Sequence, residues 1–221
     1  MRRFDLSTPS GRLRAYLDFL WTDHAWIRFG FQNAHWISEE LVRTNQPWPY
    51  QLRWWKAHGV KTVLNLRGEF VKSHHVIEAD ACARLGLTMV DLVVKSREAP
   101  TLQQVLDARS AFETIAYPCL MHCKSGADRA GLMSVLYAHF RLGQPIRQAV
   151  GQLSLRYGHF RQGYTGVLDH FFQEYLADGE PNGLSLIDWM SRPEYDHHAL
   201  KAQFRSNFWG RLITERLLRR E

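Results

Sequence analysis

Cys119-Leu120-Met121-His122-Cys123-Lys124-Ser125-Gly126-Ala127-Asp128-Arg129-Ala130-Gly131 is the stretch on which the fold turns. Pro118 introduces it, and its first three residues form an apolar run. Beyond Gly131, Leu132-Met133-Ser134-Val135-Leu136-Tyr137-Ala138 has the spacing of a helix, with Gly143 as its stop and Pro145 beyond. The stretch therefore reads as a buried strand, a tight loop and a helix.

A loop of this kind turns successive backbone N–H groups inward at a helix N-terminus, where unpaired donors and the positive end of the helix dipole make a seat for phosphate. Cys123 stands at the start of that seat and Arg129 at its end. A thiol so placed is expected to lose its proton readily, because the helix N-terminus and a neighbouring guanidinium stabilise the thiolate. Arg129 offers a planar fork of donors that matches phosphate oxygens. Gly126 permits backbone angles that a side chain forbids. Lys124, Ser125, Gly126 and Ala127 supply the remaining amides, and His122 is placed to hydrogen-bond behind the loop. A free cysteine more commonly serves as a small buried hydrophobe, but that role leaves His122, Gly126 and Arg129 unexplained.

This loop resembles the signature of the cysteine-dependent phosphatases, His-Cys, five residues, Arg. Lys124 and Gly126 resemble the His-Cys-Lys-x-Gly loops of lipid-directed members of the dual-specificity group. Asp128 is similar to the aspartate of bacterial phosphatases ending in Lys-Asp-Arg and of myotubularin-like lipid phosphatases ending in Asp-Arg. Gln46-Pro47, with Thr62-Val63-Leu64-Asn65-Leu66-Arg67-Gly68-Glu69, resembles the bacterial and fungal atypical branch. The resemblance spans roughly residues 40 to 145. It implies an α/β fold of the dual-specificity-phosphatase type, a central mostly parallel sheet flanked by helices, with helices added at both ends. The domains expected are a tail and amphipathic helix over 1–33, a phosphatase domain over 34–178, and an extension over 179–221 ending in a basic amphipathic helix.

Composition agrees with an ordinary globular protein. The 221 residues are 45% hydrophobic and 23% charged, enough for a substantial core. The three cysteines, Cys82, Cys119 and Cys123, are odd in number and have no metal-ligand spacing, which argues for a reducing compartment. No signal peptide and no apolar run of about 18 residues is evident, so a cytoplasmic location is expected. The formal net charge of +6 favours anionic partners. Zinc-finger, basic-zipper and RNA-binding aromatic motifs are absent, so nucleic acid is not expected. A phosphorylated protein or phospholipid substrate accounts for the charge, with peripheral contact to an anionic membrane as a further expectation. No metal or cofactor is required.

From Gly11 to Phe31 the apolar residues recur at helical spacing, and Trp26, Ile27, Phe29 and Phe31 crowd around Arg28. Packing on the domain is the preferred reading of this segment, and a membrane surface the alternative. Short strands are expected at Trp36-Ile37 and Leu41-Val42-Arg43, a helix from Tyr50 to His58, and strands over 60–66 and 87–94. Helices should carry Ile77 to Leu85, follow the Thr101/Gln104 capping box, and span 167–176. Alternating strands and helices imply a largely parallel sheet. Arg67 and Glu69 then lie beyond a strand's carboxyl end, where Arg67 orients substrate or fixes the loop through an ion pair. Arg156, His159 and Arg161 read as a structural or solvated face in preference to a second phosphate site.

Three carboxylates are candidates for the general acid. Asp128 is favoured because chain connectivity alone puts it beside the loop. Glu98 lies in the polar loop where the family's mobile acid is expected, and Asp91 precedes Cys123 by the separation usual in the dual-specificity group. The implied chemistry is two displacements through a cysteinyl phosphate. Where the family carries serine or threonine after the arginine, this chain has Ala130; Ser125 takes over, or the second step is slow. Two other classes fit the same residues: a phosphate-binding pseudophosphatase module, and a thiol-based redox or sulfur-transfer protein.

Overall fold

The computed structural model describes residues 4–68 and 71–205. In chain order its elements are α1 (Pro9–Trp21), β1 (His35–Trp36), β2 (Leu41–Thr44), α2 (Pro49–Ala57), β3 (Thr62–Asn65), α3 (Ser73–Leu85), β4 (Thr88–Asp91), α4 (Leu102–Thr114), β5 (Cys119–His122), α5 (Asp128–Phe140), α6 (Ile146–Ala149), α7 (Val167–Glu174) and α8 (Leu186–Met190). Two compact units result. One holds the described residues up to Val94 together with Glu113–Ala130, and the other Lys95–Phe112 together with those from Gly131 onward.

All five strands belong to the first unit. Their order is β1-β2-β5-β3-β4, with β1 antiparallel and the other pairs parallel. β5 is the central strand: Leu120 faces Val42 on one side and Val63 on the other. Strands buried on both faces read as continuous apolar runs, and every residue of β2, β3 and β5 is buried. Val42, Val63 and Leu120 meet Leu52 and Trp55 of α2 and Ala81 and Cys82 of α3 in one core. A second core joins Ala15 and Phe19 of α1 to Trp48 and Ile77.

The α1 helix ends at Trp21, ten residues before the expected limit at Phe31. Its hydrophobic spacing continues, but His24 adopts a left-handed backbone (φ 56°) and turns Asp23 inward. A short 3-10 helix, Ala25–Arg28, follows. The β4 strand stops at Asp91 rather than Val94, although Leu92 and Val94 still donate backbone hydrogen bonds to Asn65 and Leu66. The helix expected over 167–176 is α7 to Glu174, continued as a π-helical turn through Gly179.

In the second unit the capping box at the start of α4 forms as expected: Gln104 N–H donates to Thr101 Oγ1 (3.2 Å), and Thr101 N–H to Gln104 Oε1 (3.0 Å). Residues 197–205 are helical, and the rest of the basic C-terminal helix expected from sequence lies outside the described residues. Among the described residues no helix is long and apolar enough to cross a membrane.

Candidate active site

The loop Cys123–Ala127 connects the central strand β5 to α5, so its start and end are both fixed by buried elements. Four consecutive loop carbonyls are tied to the body of the unit. The Lys124 carbonyl accepts from Gln46 N–H (3.3 Å) and the Ser125 carbonyl from Asn33 Nδ2 (3.1 Å). Those of Gly126 and Ala127 both accept from Arg43 Nη2, at 2.8 and 2.9 Å. A peptide's N–H and C=O point in opposite directions, so anchoring the carbonyls on one side turns the amides to the other.

Cys123 is buried, and its Sγ accepts the Gly126 N–H at 3.3 Å. Burial pushes the other two thiols, Cys82 and Cys119, up to about 12. Gly126 has φ 76°, and a Cβ there would sit 2.8 Å from the Thr44 carbonyl carbon and 2.9 Å from Asn45 N. Glycine is thus required for its conformation and for its close approach to β2. Arg129, half-buried in the first turn of α5, has no ion pair among the described residues.

His122 lies behind the loop with its Nδ1 3.3 Å from the Cys123 carbonyl. Its Nε2 is 2.8 Å from Glu78 Oε1, both side chains being buried, but the ring N–H is not aimed at the oxygen.

A buried charge cluster lies beside the loop. Asp23 pairs with Arg28 and takes a two-pronged contact from Arg67, while Lys124 Nζ lies 3.5 Å from its Oδ1. Arg67 also donates to Gln46 Oε1 at 3.0 Å. Burial alone would raise the Asp23 carboxyl; the Arg67 hydrogen bond and the charges of Arg67, Arg28 and Lys124 overcome that and hold it at about 2. Desolvation, with Arg67 nearby, lowers His74 to about 3, so this ring is neutral at pH 7. Of the two roles open to Arg67, the structure shows the ion pair. Glu69 lies outside the described residues.

The three carboxylates are placed differently. Asp128 is the first residue of α5, directly after the loop and partly buried. Asp91 ends the edge strand, two strands from His122, or about 10 Å by strand spacing, and its carboxylate accepts from Asn65 Nδ2 (2.7 Å) and lies 3.1 Å from His75 Nε2. Glu98 belongs to the second unit, where hydrogen bonds from Lys95 (2.8 Å) and Lys201 (3.1 Å) hold it at about 2. In that unit His159 is buried 2.6 Å from Asp169, which Arg161 also approaches at 2.8 Å.

Sequence reasoning missed Arg43, Asn33 and Asp23. Arg43 carried a usable signal, a lone cation inside an otherwise apolar strand, which implies a buried partner. Asp23 carried none, being a hundred residues from Lys124.

Comparison with known proteins places this geometry. No curated protein matches the chain. Among solved structures it is similar to a putative phosphatase (DUF442) from Shewanella putrefaciens CN-32, with 17% identity, TM-score 0.54, and coverage of 69% of this chain and 94% of that one. TpbA of P. aeruginosa gives 17%, 0.52, 69% and 91%, and the active form of Tk-PTP 19%, 0.51, 64% and 97%. At such identity these likenesses establish the fold. Residues 32–162, more than half of the chain, match the family model PTP-NADK, described as a DSP-PTPase phosphatase fused to NAD+ kinase. The chain belongs to this family of dual-specificity-type phosphatases.

Proposed function

We propose that the protein hydrolyses phosphomonoesters through a covalent cysteinyl phosphate. The observation that supports the reading is the anchoring of the four carbonyls at 124–127, which turns the loop amides between Cys123 and Arg129 to one side. Cys123 Sγ attacks phosphorus and the bond to the ester oxygen breaks. Loop amides and Arg129 hold the charge on the remaining phosphoryl oxygens. Asp128 gives its proton to the departing oxygen, then takes one from the water that cleaves the S–P bond and frees inorganic phosphate. His122, backed by Glu78, positions the Cys123 peptide.

Asp128 is preferred as the acid for two reasons. It sits at the loop, whereas hydrogen bonds from Lys95 and Lys201 lower the Glu98 carboxyl to about 2. The substrates expected from sequence, a phosphorylated protein or a phosphorylated lipid, present the same phosphomonoester to this seat. Thiol redox chemistry is disfavoured, since Cys82 and Cys119 are held protonated by burial and neither is suited to resolve a disulfide. Turnover of para-nitrophenyl phosphate by wild type and Cys123→Ser tests the proposal. Wild-type hydrolysis lost in the variant supports it, and equal rates overturn it.

A further inference from the structure

Exposed apolar side chains are normal when scattered singly, whereas a contiguous set marks an interface. In the first unit Trp21, Trp26, Ile27, Phe29, Phe31 and Tyr50 are each between 48% and 64% exposed. They are not loose ends. Phe29 packs edge-on against buried Trp48 (5.5 Å between ring centres) and lies 5.6 Å from Tyr50, whose hydroxyl donates to the Phe29 carbonyl. The Phe31 carbonyl accepts from Asn45 Nδ2 at 3.0 Å.

The charge distribution narrows the partner. Between Trp21 and Ser38 the only Asp, Glu, Lys or Arg residues are Asp23 and Arg28, which are buried against each other, so the exposed side of this segment carries no carboxylate, lysine or arginine; the two histidines there are His24 and His35, and exposed Glu39 follows the segment. Exposed Arg14 precedes the segment on α1, exposed Arg53 lies one turn beyond Tyr50 on α2, and Lys124, with 42% of its side chain exposed, stands at the loop. Tryptophan and tyrosine rings favour the headgroup boundary of a bilayer, and a basic rim adds attraction to anionic lipid.

We infer that the aromatic face built from residues 21–31 and Tyr50 docks the protein on a bilayer bearing anionic headgroups. Asn33 joins this segment to the phosphate loop through the Ser125 carbonyl, so docking brings the Cys123 loop alongside the headgroups. That consequence rests on the phosphatase reading; the docking does not.

Flotation of the full chain with vesicles of phosphatidylcholine, alone or mixed with phosphatidylglycerol, tests the inference. The comparison is a variant carrying Trp26→Ser, Ile27→Ser and Phe31→Ser, with para-nitrophenyl phosphate turnover in vesicle-free buffer as the check that it folds. Wild type is expected to float with the anionic vesicles about tenfold more than with neutral ones, and the triple variant to lose at least about tenfold of that binding while keeping its turnover. Absence of wild-type flotation, equal flotation with both lipids, unchanged flotation of the variant, or a concentration-dependent dimer abolished by the three substitutions would each overturn it. Cys123→Ser is expected to float like wild type. Flotation without para-nitrophenyl phosphate turnover by wild type would defeat the phosphatase reading alone.

Discussion

Arg43 Nη2 lies 2.8 Å from the Gly126 carbonyl oxygen, and through this contact a fully buried guanidinium in β2 shapes a loop more than eighty residues away. The same nitrogen reaches the Ala127 carbonyl, so one side chain orients two consecutive peptides. Arg43→Met keeps much of the volume and removes both bonds. We expect a stability loss of about 3 kcal/mol by urea unfolding and a fall in kcat/KM of about 100-fold. Arg43→Lys should lie between wild type and Arg43→Met on both scales, because an ammonium keeps the charge and loses the fork.

Gly126 and Gly143 both have positive φ, but only Gly126 has backbone within 3 Å of where a Cβ would stand. Gly143→Ala should cost about 1 kcal/mol, the conformational term alone. Gly126→Ala must also push β2 away from the loop, so it should cost at least about 2 kcal/mol and sharply lower turnover. Equal costs in parallel urea titrations would mean that the close approach to Thr44 is not a real constraint.

Asp23 links stability to pH. Its carboxyl lies at about 2 in the fold against 3.8 ordinarily, so the unfolded chain takes up the proton first as pH falls. The stabilisation is therefore present above pH 4 and lost toward pH 2, on the order of 2 kcal/mol. Asp23→Asn leaves Arg67 and Arg28 without their carboxylate and should be about 3 kcal/mol less stable at pH 7. The gap between variant and wild type should narrow below pH 4. A gap constant from pH 7 to pH 2 would contradict the ion-pair account.

The choice of acid is open to a direct comparison on an alkyl phosphate, whose poor leaving group needs protonation. Asp128→Asn should lower kcat by about 100-fold or more, with a smaller loss on an activated aryl ester. Glu98→Gln and Asp91→Asn should stay within a few-fold of wild type on both substrates. If Glu98→Gln gave the larger loss on the alkyl ester, the assignment would pass to Glu98 despite its lysine partners.

The strand, loop and helix around Cys123 were legible because each part follows a local rule: an apolar run, a glycine where the chain must reverse, and a helical spacing stopped by Gly143. The parallel sheet followed from alternation. What supports the loop was not legible. Arg43, Asn33 and Asp23 act across distances in sequence that only strand order brings together, and periodicity carries no record of partners. The overlong reading of α1 failed for a related reason. Apolar residues continue through Trp26 and Phe29, but spacing does not register that Asp23 is buried against Arg67 and Arg28. The exposure of the aromatic residues from 26 to 31 was likewise undecided by spacing, since the same pattern serves a core or a surface.

Ala130, fully buried, stands where the resembling family has a hydroxyl that eases departure of the thiolate. Breakdown of the cysteinyl phosphate should therefore be the slow step. Rapid denaturing quench of the enzyme during para-nitrophenyl phosphate turnover, with mass spectrometry of the peptide bearing Cys123, measures this intermediate. A phosphoryl group on Cys123 is expected to form in a burst, to reach a large fraction of the enzyme, and to be diminished at steady state in Ala130→Ser. Rapid wild-type turnover with no phosphate ever found on Cys123 would contradict it.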